Sequence, residues 1–197
     1  CNGDPVNYVD PDGLDVYMLN RDGSLTLLYT SDETFCLLAF DKNGNFAERF
    51  EFQNNNVMED LSEQYLSSNE KRVVSYTDRL DYSRALELFI FCSKNSDVEW
   101  AIHKSRNYIS VGTVHDEDNA GSWDYYNHKK VPLISIHSHP GISEFYAFDS
   151  LVTDYMAIIN RPSDKAKYYF VYFPEVNKYI KLSQEGRSSW LEFPEIK

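Results

Sequence analysis

Four short apolar runs, each of strand length and each bounded by turn-forming residues, fill the first quarter of the chain. The turn signals between them are Arg-Asp-Gly-Ser, Ser-Asp-Glu and Asp-Lys-Asn-Gly-Asn, which favour tight reversals of the backbone. The runs cover residues 16–19, 25–30, 35–40 and 46–52. This pattern predicts an N-terminal β-meander of antiparallel strands.

The remainder of the chain alternates between strand and helix patterns. Residues 53–69 are polar and predict a loop with one helical turn, whereas residues 82–93 predict a helix that is apolar on nearly all sides and therefore packs between other elements. A second helix is predicted over residues 150–160, ended by Arg161 and Pro162. Further strands are predicted at residues 72–76, 97–103, 108–114, 131–137, 168–173 and 178–182. Helices interleaved with a mostly antiparallel or mixed sheet give an α+β or α/β domain.

Charge and cysteine content exclude several classes of protein. The 31 acidic and 19 basic residues give a net charge of −12, so the chain lacks the basic surface that nucleic-acid binding requires. No segment approaches the roughly 20 apolar residues of a membrane span. The three cysteines, Cys1, Cys36 and Cys92, show no paired spacing and predict no disulfide framework. A length of 197 residues fits one domain.

The segment Ile-Ser-Ile-His-Ser-His-Pro carries the most chemistry. Positions i and i+2 of a strand point to the same side, so His137 and His139 would present two imidazoles together. Catalytic zinc usually takes three protein ligands, and Asp149 and Asp154 are the downstream candidates for the third. Glu99, on an apolar strand, needs a cation, a metal or water beside it. From the residues alone, an exposed pair of histidines without metal stays an equal alternative.

These residues resemble the JAMM (MPN-type, JAB-like) metalloproteases, whose pattern is Glu … His-X-His-Pro … Ser-X-X-Asp. The resemblance covers roughly residues 82–182 and implies an α+β (α/β, JAMM/cytidine-deaminase-like) fold, a mixed central sheet flanked by helices, and zinc as the cofactor. It implies that His137 and His139 bind the metal. It also implies that Glu99 acts as general acid–base for the attacking water.

The sequence departs from that pattern at the third ligand. Asp149 stands at nearly the usual distance after the second histidine, but Tyr146 occupies the place of the serine. Asp154 is farther along, with Ser150 four residues before it, and it begins a helix of suitable length. We therefore expect Asp154 as the third metal ligand and Ser150 as the catalytic residue that holds the oxyanion.

A second resemblance lies at the start of the chain. Asn-Gly-Asp-Pro-Val-Asn-Tyr-Val-Asp-Pro-Asp-Gly-Leu is similar to the end of the Rhs repeat-associated core, which precedes variable C-terminal effectors in bacterial polymorphic toxins. It implies a linker over residues 1–14, with release after Leu14, and a JAB-like toxin domain over residues 15–197. Within that domain we expect an N-terminal β region at 15–80 and a catalytic core at 81–185. Whether the β region forms part of the catalytic unit or a separate layer stays open.

Together the two resemblances imply a zinc-dependent JAMM-like peptidase or isopeptidase that serves as the C-terminal effector of an Rhs-family protein. The implied partners are a protein substrate, ubiquitin-like or peptide, the Rhs shell of the parent chain and an immunity protein; nucleic acid and membrane insertion are not expected. Cys1 without an initiator Met suggests a fragment of a longer protein, and we expect a secreted or delivered bacterial effector, borne at the cell surface within the parent chain. Two alternatives are an inactive JAMM-like interaction module and a metal-dependent hydrolase of a non-peptide amide.

Overall fold

The structure is a computed structural model, and the residues that it describes form two β-sheets and four helices. It describes residues 15–29, 35–52, 56–66, 73–119, 132–143, 146–160, 166, 168–183 and 185–191. The helices are α1 (Asn56–Ser62), α2 (Tyr82–Asn95), α3 (Ala147–Ser150) and α4 (Val152–Asn160). Within the described ranges no helix combines the length and apolar character needed to cross a bilayer.

The N-terminal sheet has four strands in the order β2-β1-β3-β4. They are β1 (Asp15–Leu19), β2 (Leu25–Tyr29), β3 (Phe35–Phe40) and β4 (Phe46–Phe52). β1 pairs antiparallel with β2 but parallel with β3, so the prediction of a wholly antiparallel meander was wrong. The side chains of β1 and β3 are mostly buried, whereas those of β4 are mostly exposed. The two most buried strands, β1 and β3, therefore pair in the middle of the sheet, although β2 lies between them along the chain.

The second sheet is mixed, as predicted, and has the order β12-β11-β10-β9-β7-β8-β6-β5. The neighbouring strands β9 and β10 pair parallel, while the other pairings of this sheet are antiparallel. The predicted hairpins are confirmed as β7–β8 and β10–β11. The strands are β5 (Tyr65–Leu66), β6 (Val73–Thr77), β7 (Trp100–Lys104), β8 (Ile109–Thr113), β9 (Ile134–Ser138), β10 (Tyr168–Phe173), β11 (Lys178–Ser183) and β12 (Gly186–Arg187).

Helix α2 lies in the main hydrophobic core. The carboxylate of Asp81 caps its N-terminus by accepting a 3.0 Å hydrogen bond from the Arg84 backbone N–H. Its buried side chains share one hydrophobic cluster with residues of both sheets, among them Leu37 of β3, Trp100 of β7 and Ile136 of β9. The N-terminal β region and the larger sheet are therefore joined by a common core.

The larger sheet buries side chains on both faces. On β9, Ile134 and Ile136 join the cluster around α2, so His137 points to the opposite face, as the two-residue period of a strand requires. A second hydrophobic cluster on that opposite face includes Ala147 and Leu151, from α3 and the residue after it, and Phe173 of β10. The face that bears His137 is thus covered in part by the α3–α4 segment.

Candidate metal centre

The strand pairing brings Glu99 to the two histidines. Glu99 lies directly before β7 and His139 directly after β9, one residue outside each strand. Ala101 is the cross-strand partner of His137. The buried hydroxyl of Ser138 accepts a 2.9 Å hydrogen bond from the Trp100 N–H, which holds the ends of β7 and β9 together. The sequence placed Glu99 within the strand, but the strand begins at the next residue.

Four side chains meet at this point. The Nε2 atoms of His137 and His139 are 2.9 Å apart. Asp154 Oδ2 lies 3.3 Å from His137 Nε2 and 3.2 Å from His139 Nε2, while Glu99 Oε1 lies 3.4 Å from His139 Nε2. Ligand atoms of Glu99, His137 and His139 all lie within 4.8 Å of one another. The structure therefore brings together Glu99, His137, His139 and Asp154.

These separations match the edges of a small coordination tetrahedron. Zinc bonds to nitrogen and oxygen of about 2.0–2.1 Å give ligand–ligand edges of about 3.3–3.4 Å in a tetrahedron. The two His–Asp edges of 3.2 and 3.3 Å agree with that value, and the His–His edge of 2.9 Å is slightly shorter. Asp154 Oδ2 is also buried and accepts no well-formed hydrogen bond from the described residues. A carboxylate oxygen in that position fits a cation.

The carboxylates of Asp154 and Glu99 both lie beside the two imidazoles, and their positions indicate which of them suits the role of metal ligand and which the role of general base. Asp154 Oδ2 is nearly equidistant from the two Nε2 atoms, as an oxygen sharing one metal with both imidazoles would be. Glu99 Oε1 lies at the His139 side, in a position to act beside the metal. For Asp149, the other candidate, the backbone lies in α3 and the side chain is outside the described part of the structure.

The electrostatics favour the protonation states that a metal requires. Burial lowers the pKa of His139, and His137 lowers it further, which outweighs the opposite effect of Asp154. Burial would raise the pKa of Asp154, but the facing His137 and His139 hold that pKa well below its usual value. A neutral imidazole and an ionised carboxylate are the metal-binding forms of these groups.

Ser150 defines the tautomer of His139. Its hydroxyl donates to the Ala147 carbonyl at 2.8 Å and lies 3.0 Å from His139 Nδ1. Since the single hydroxyl proton is used on Ala147, the oxygen accepts from His139, which places the imidazole proton on Nδ1 and the lone pair on Nε2. This contact was not predicted from the sequence; the oxyanion role of Ser150 stays a prediction.

Tyr169 on β10 is a neighbour of the cluster that the sequence did not reveal, because the pattern of residues 168–173 predicted only a strand. Its ring centroid lies 5.3 Å from that of His137. Its hydroxyl hydrogen-bonds to the Asp154 carboxylate; burial and the charges of Asp154 and Glu99 raise the pKa of Tyr169 well above its usual value. The available signal was the two-residue alternation that puts Tyr169, Val171 and Phe173 on one face, but the sequence does not say which face.

The turn between β1 and β2 supports the segment that leads to Glu99. The Asp97 backbone N–H donates to the Arg21 carbonyl at 2.7 Å, and the Arg21 guanidinium binds the Asp97 carboxylate through both Nε and Nη2. This hydrogen-bonded pair lowers the pKa of Asp97. The N-terminal sheet thus contacts the chain two residues before Glu99.

Gly23, in the turn between β1 and β2, packs closely against Val98, and this close packing allows a prediction about stability. It has φ of +79°, and a Cβ there would lie 2.7 Å from Cγ2 of the buried Val98. For Gly23→Ala we expect the free energy of unfolding to fall by about 2–5 kcal/mol, since the left-handed backbone costs about 1–2 kcal/mol and overpacking about 1–3 kcal/mol. Denaturant unfolding measures the change.

Gly44→Ala is the matched control, because the β3–β4 turn has the same φ of +79° and the same pattern of turn hydrogen bonds, yet a Cβ at Gly44 meets nothing within 4 Å. We expect this variant to lose only the backbone contribution of about 1–2 kcal/mol. Equal losses in the two variants would show that the approach of Gly23 to Val98 contributes nothing.

Residues 77–167 match the family model described as JAB-like toxin 1. The matched segment contains Glu99, His137, His139 and Asp154, and this part of the chain is therefore similar to a JAB-like toxin domain. No curated protein and no solved structure gives a match to the chain.

Proposed function

We propose that the protein is a zinc-dependent JAMM-like hydrolase, a peptidase or isopeptidase, that acts as a toxin effector. The observation that carries the proposal is the cluster of two Nε2 atoms and Asp154 Oδ2, mutually 2.9–3.3 Å apart beside the Glu99 carboxylate. The match of residues 77–167 to JAB-like toxin 1 supports the toxin part of the proposal.

His137, His139 and Asp154 would hold the zinc. Zinc at such a site acts as a Lewis acid, which polarises the scissile carbonyl and makes water easier to deprotonate. Ser150 fixes the His139 ring with its Nε2 lone pair toward the cluster. The two histidines lie at the end of β9, which leads into a turn where Pro140 is partly exposed and Gly141 exposed.

Glu99 would move the proton. Its carboxylate takes a proton from the attacking water as the carbon–oxygen bond forms, then delivers it to the leaving nitrogen as the carbon–nitrogen bond breaks. The backbone of Glu99 is held on both sides: its N–H donates to Asp116 at 2.9 Å, and its carbonyl accepts from the Thr113 hydroxyl at 2.7 Å. The base is therefore fixed beside His139 before a substrate arrives.

We place this domain at the end of an Rhs-family protein, on the strength of the signature in residues 1–14. In this proposal the parent shell delivers the domain as a secreted or surface-borne effector. The substrate is then a peptide or ubiquitin-like protein of the target cell, and an immunity protein protects the producing cell.

Metal content and thermal stability test the proposal. We expect one zinc per chain in the purified protein, and we expect a chelator to lower Tm reversibly. Zinc at about a thousand times its Kd stabilises by about 4 kcal/mol, and each kcal/mol shifts Tm by about 2–4 °C for a chain of this size, which gives a shift of roughly 8–16 °C.

Magnesium added to the chelated protein is the control, since the cluster offers two nitrogen ligands that suit zinc better than magnesium. Recovery of Tm with zinc but not with magnesium supports the metal centre. A purified chain without zinc and without affinity for it would leave the interaction module as the better description.

A further inference from the structure

Tyr169 enters the cluster through the parallel pairing of β9 and β10. In that register Ser135 is the partner of Tyr169, and His137 is the partner of Val171. Tyr169 and His137 are therefore diagonal neighbours on the same face of the sheet, a relation that brings large side chains into contact. The 5.3 Å between the two ring centroids agrees with this placement.

The hydroxyl of Tyr169 reaches from the sheet to helix α4. It hydrogen-bonds to the carboxylate of Asp154, which α4 carries at its third residue. A carboxylate on a helix can rotate about two side-chain bonds, and a hydrogen bond from a fixed phenol limits that rotation. Partners of this kind orient a metal ligand and tune its affinity.

The alternative is that Tyr169 only fills space. Its neighbours on the same face of β10, Val171 and Phe173, are apolar and belong to the cluster under α3 and α4. A phenylalanine at position 169 would provide equivalent packing. The phenol hydroxyl is thus the part of the side chain whose role the packing does not explain.

We propose that Tyr169 is a positioning residue that donates a hydrogen bond to Asp154 and sets the orientation of that carboxylate for zinc. This inference rests on the proposed function, because it assigns Asp154 as a ligand. It adds β10 to the elements that build the metal centre, through a residue beyond the segment that matches the toxin family.

Zinc affinity of the full chain tests the inference. We expect Tyr169→Phe to weaken zinc binding by about 10–100-fold, the range found when a group that orients a metal ligand is removed. Competition with a chromophoric chelator measures the affinity. Cobalt substitution gives a second measurement, since its visible absorption reports ligand geometry, and we expect the spectrum of Tyr169→Phe to differ from that of the wild type.

Tyr172→Phe is the matched control. Tyr172 lies on the same strand but on the opposite face, in the main core, where its hydroxyl donates to Asn177 Oδ1 at 2.8 Å. The Tyr172→Phe variant removes a phenol oxygen, as Tyr169→Phe does, but from a side chain on the face of the sheet opposite the cluster. We expect wild-type zinc affinity and a wild-type cobalt spectrum from it.

The outcomes separate the two proposals. If Tyr169→Phe binds zinc with wild-type affinity, the proposed role of Tyr169 is overturned while the proposed function stands. The same holds if Tyr169→Phe and Tyr172→Phe lose equal affinity, because an equal loss indicates a general loss of stability. Failure of the unmodified chain to bind zinc overturns the proposed function, and the inference falls with it.

Discussion

Glu99→Gln is expected to lower kcat for peptide or isopeptide hydrolysis by about 10²–10⁴-fold, the usual contribution of a general acid–base group. Glutamine keeps the shape of the side chain but cannot take the proton of the attacking water. Because the proposed ligands are His137, His139 and Asp154, zinc content should stay at one per chain. The measurements are hydrolysis of peptide and ubiquitin-like substrates, and growth inhibition on expression in bacterial cells.

Glu117→Gln serves as the control for this variant. Glu117 is exposed, so its replacement removes the same charge away from the cluster and should leave hydrolysis unchanged. Full activity in Glu99→Gln would remove Glu99 from the mechanism. Loss of zinc together with activity would instead identify Glu99 as a ligand, the other arrangement that the closeness of Glu99, His137 and His139 allows.

Asp154→Asn has the second large expected effect, a loss of zinc affinity of more than about 100-fold. Removing a group that only orients a ligand already costs about 10–100-fold, and removing a ligand costs more. Asparagine offers a neutral oxygen in place of an ionised one, while zinc in proteins takes carboxylate oxygens, imidazoles and thiolates. Zinc titration of the metal-free variant, with a thermal melt to show that it is folded, makes the measurement.

Asp149→Asn decides between the two carboxylates that the sequence offered. It makes the same chemical change five positions earlier in the chain, and we expect it to bind zinc as the wild type does. If Asp149→Asn loses zinc and Asp154→Asn retains it, the metal centre is built on α3 and the contacts of Asp154 with the histidines are incidental. Hydrolysis should follow zinc affinity in both variants.

Much of the fold could be predicted because its elements are short and clearly bounded. A long run that is apolar on nearly all sides predicted the helix that became α2, and turn residues separated the four strands of the first sheet. Apart from the hairpins, strand neighbours could not be predicted, because alternation indicates the face on which a side chain lies but not the strand beside it. The parallel pairing of β1 with β3 is the clearest instance.

The candidate site shows the same division. His137 and His139 could be placed together because two-residue spacing on a strand is a local rule. Asp154 depended on the packing of α4 against the sheet, and Leu151 interrupts the single helix that the sequence predicted over residues 150–160. Tyr169 depended on the register between β9 and β10, which no local pattern contains.

The sequence places Trp123, Tyr125 and Tyr126 in a loop over residues 115–130, where they would either line a substrate groove or cover the core. Those residues lie outside the described part of the structure, so this role stays a prediction. From the sequence, His103 would either support the site or be an ordinary surface histidine, and the structure buries it. Its Nδ1 lies 3.1 Å from the hydroxyl of Ser135, its cross-strand partner on β9. Ser135 precedes His137 by two residues, so His103 lies on the same face of the sheet as His137.

The contact between Arg21 and Asp97 joins residues 76 positions apart, and Asp154 reaches the histidines from the crossover between the parallel strands β9 and β10. Contacts of such long range form late, since the chain between them must be ordered first. For the hydrolase proposed here, a nascent chain has no complete centre until synthesis has passed α4 and β10.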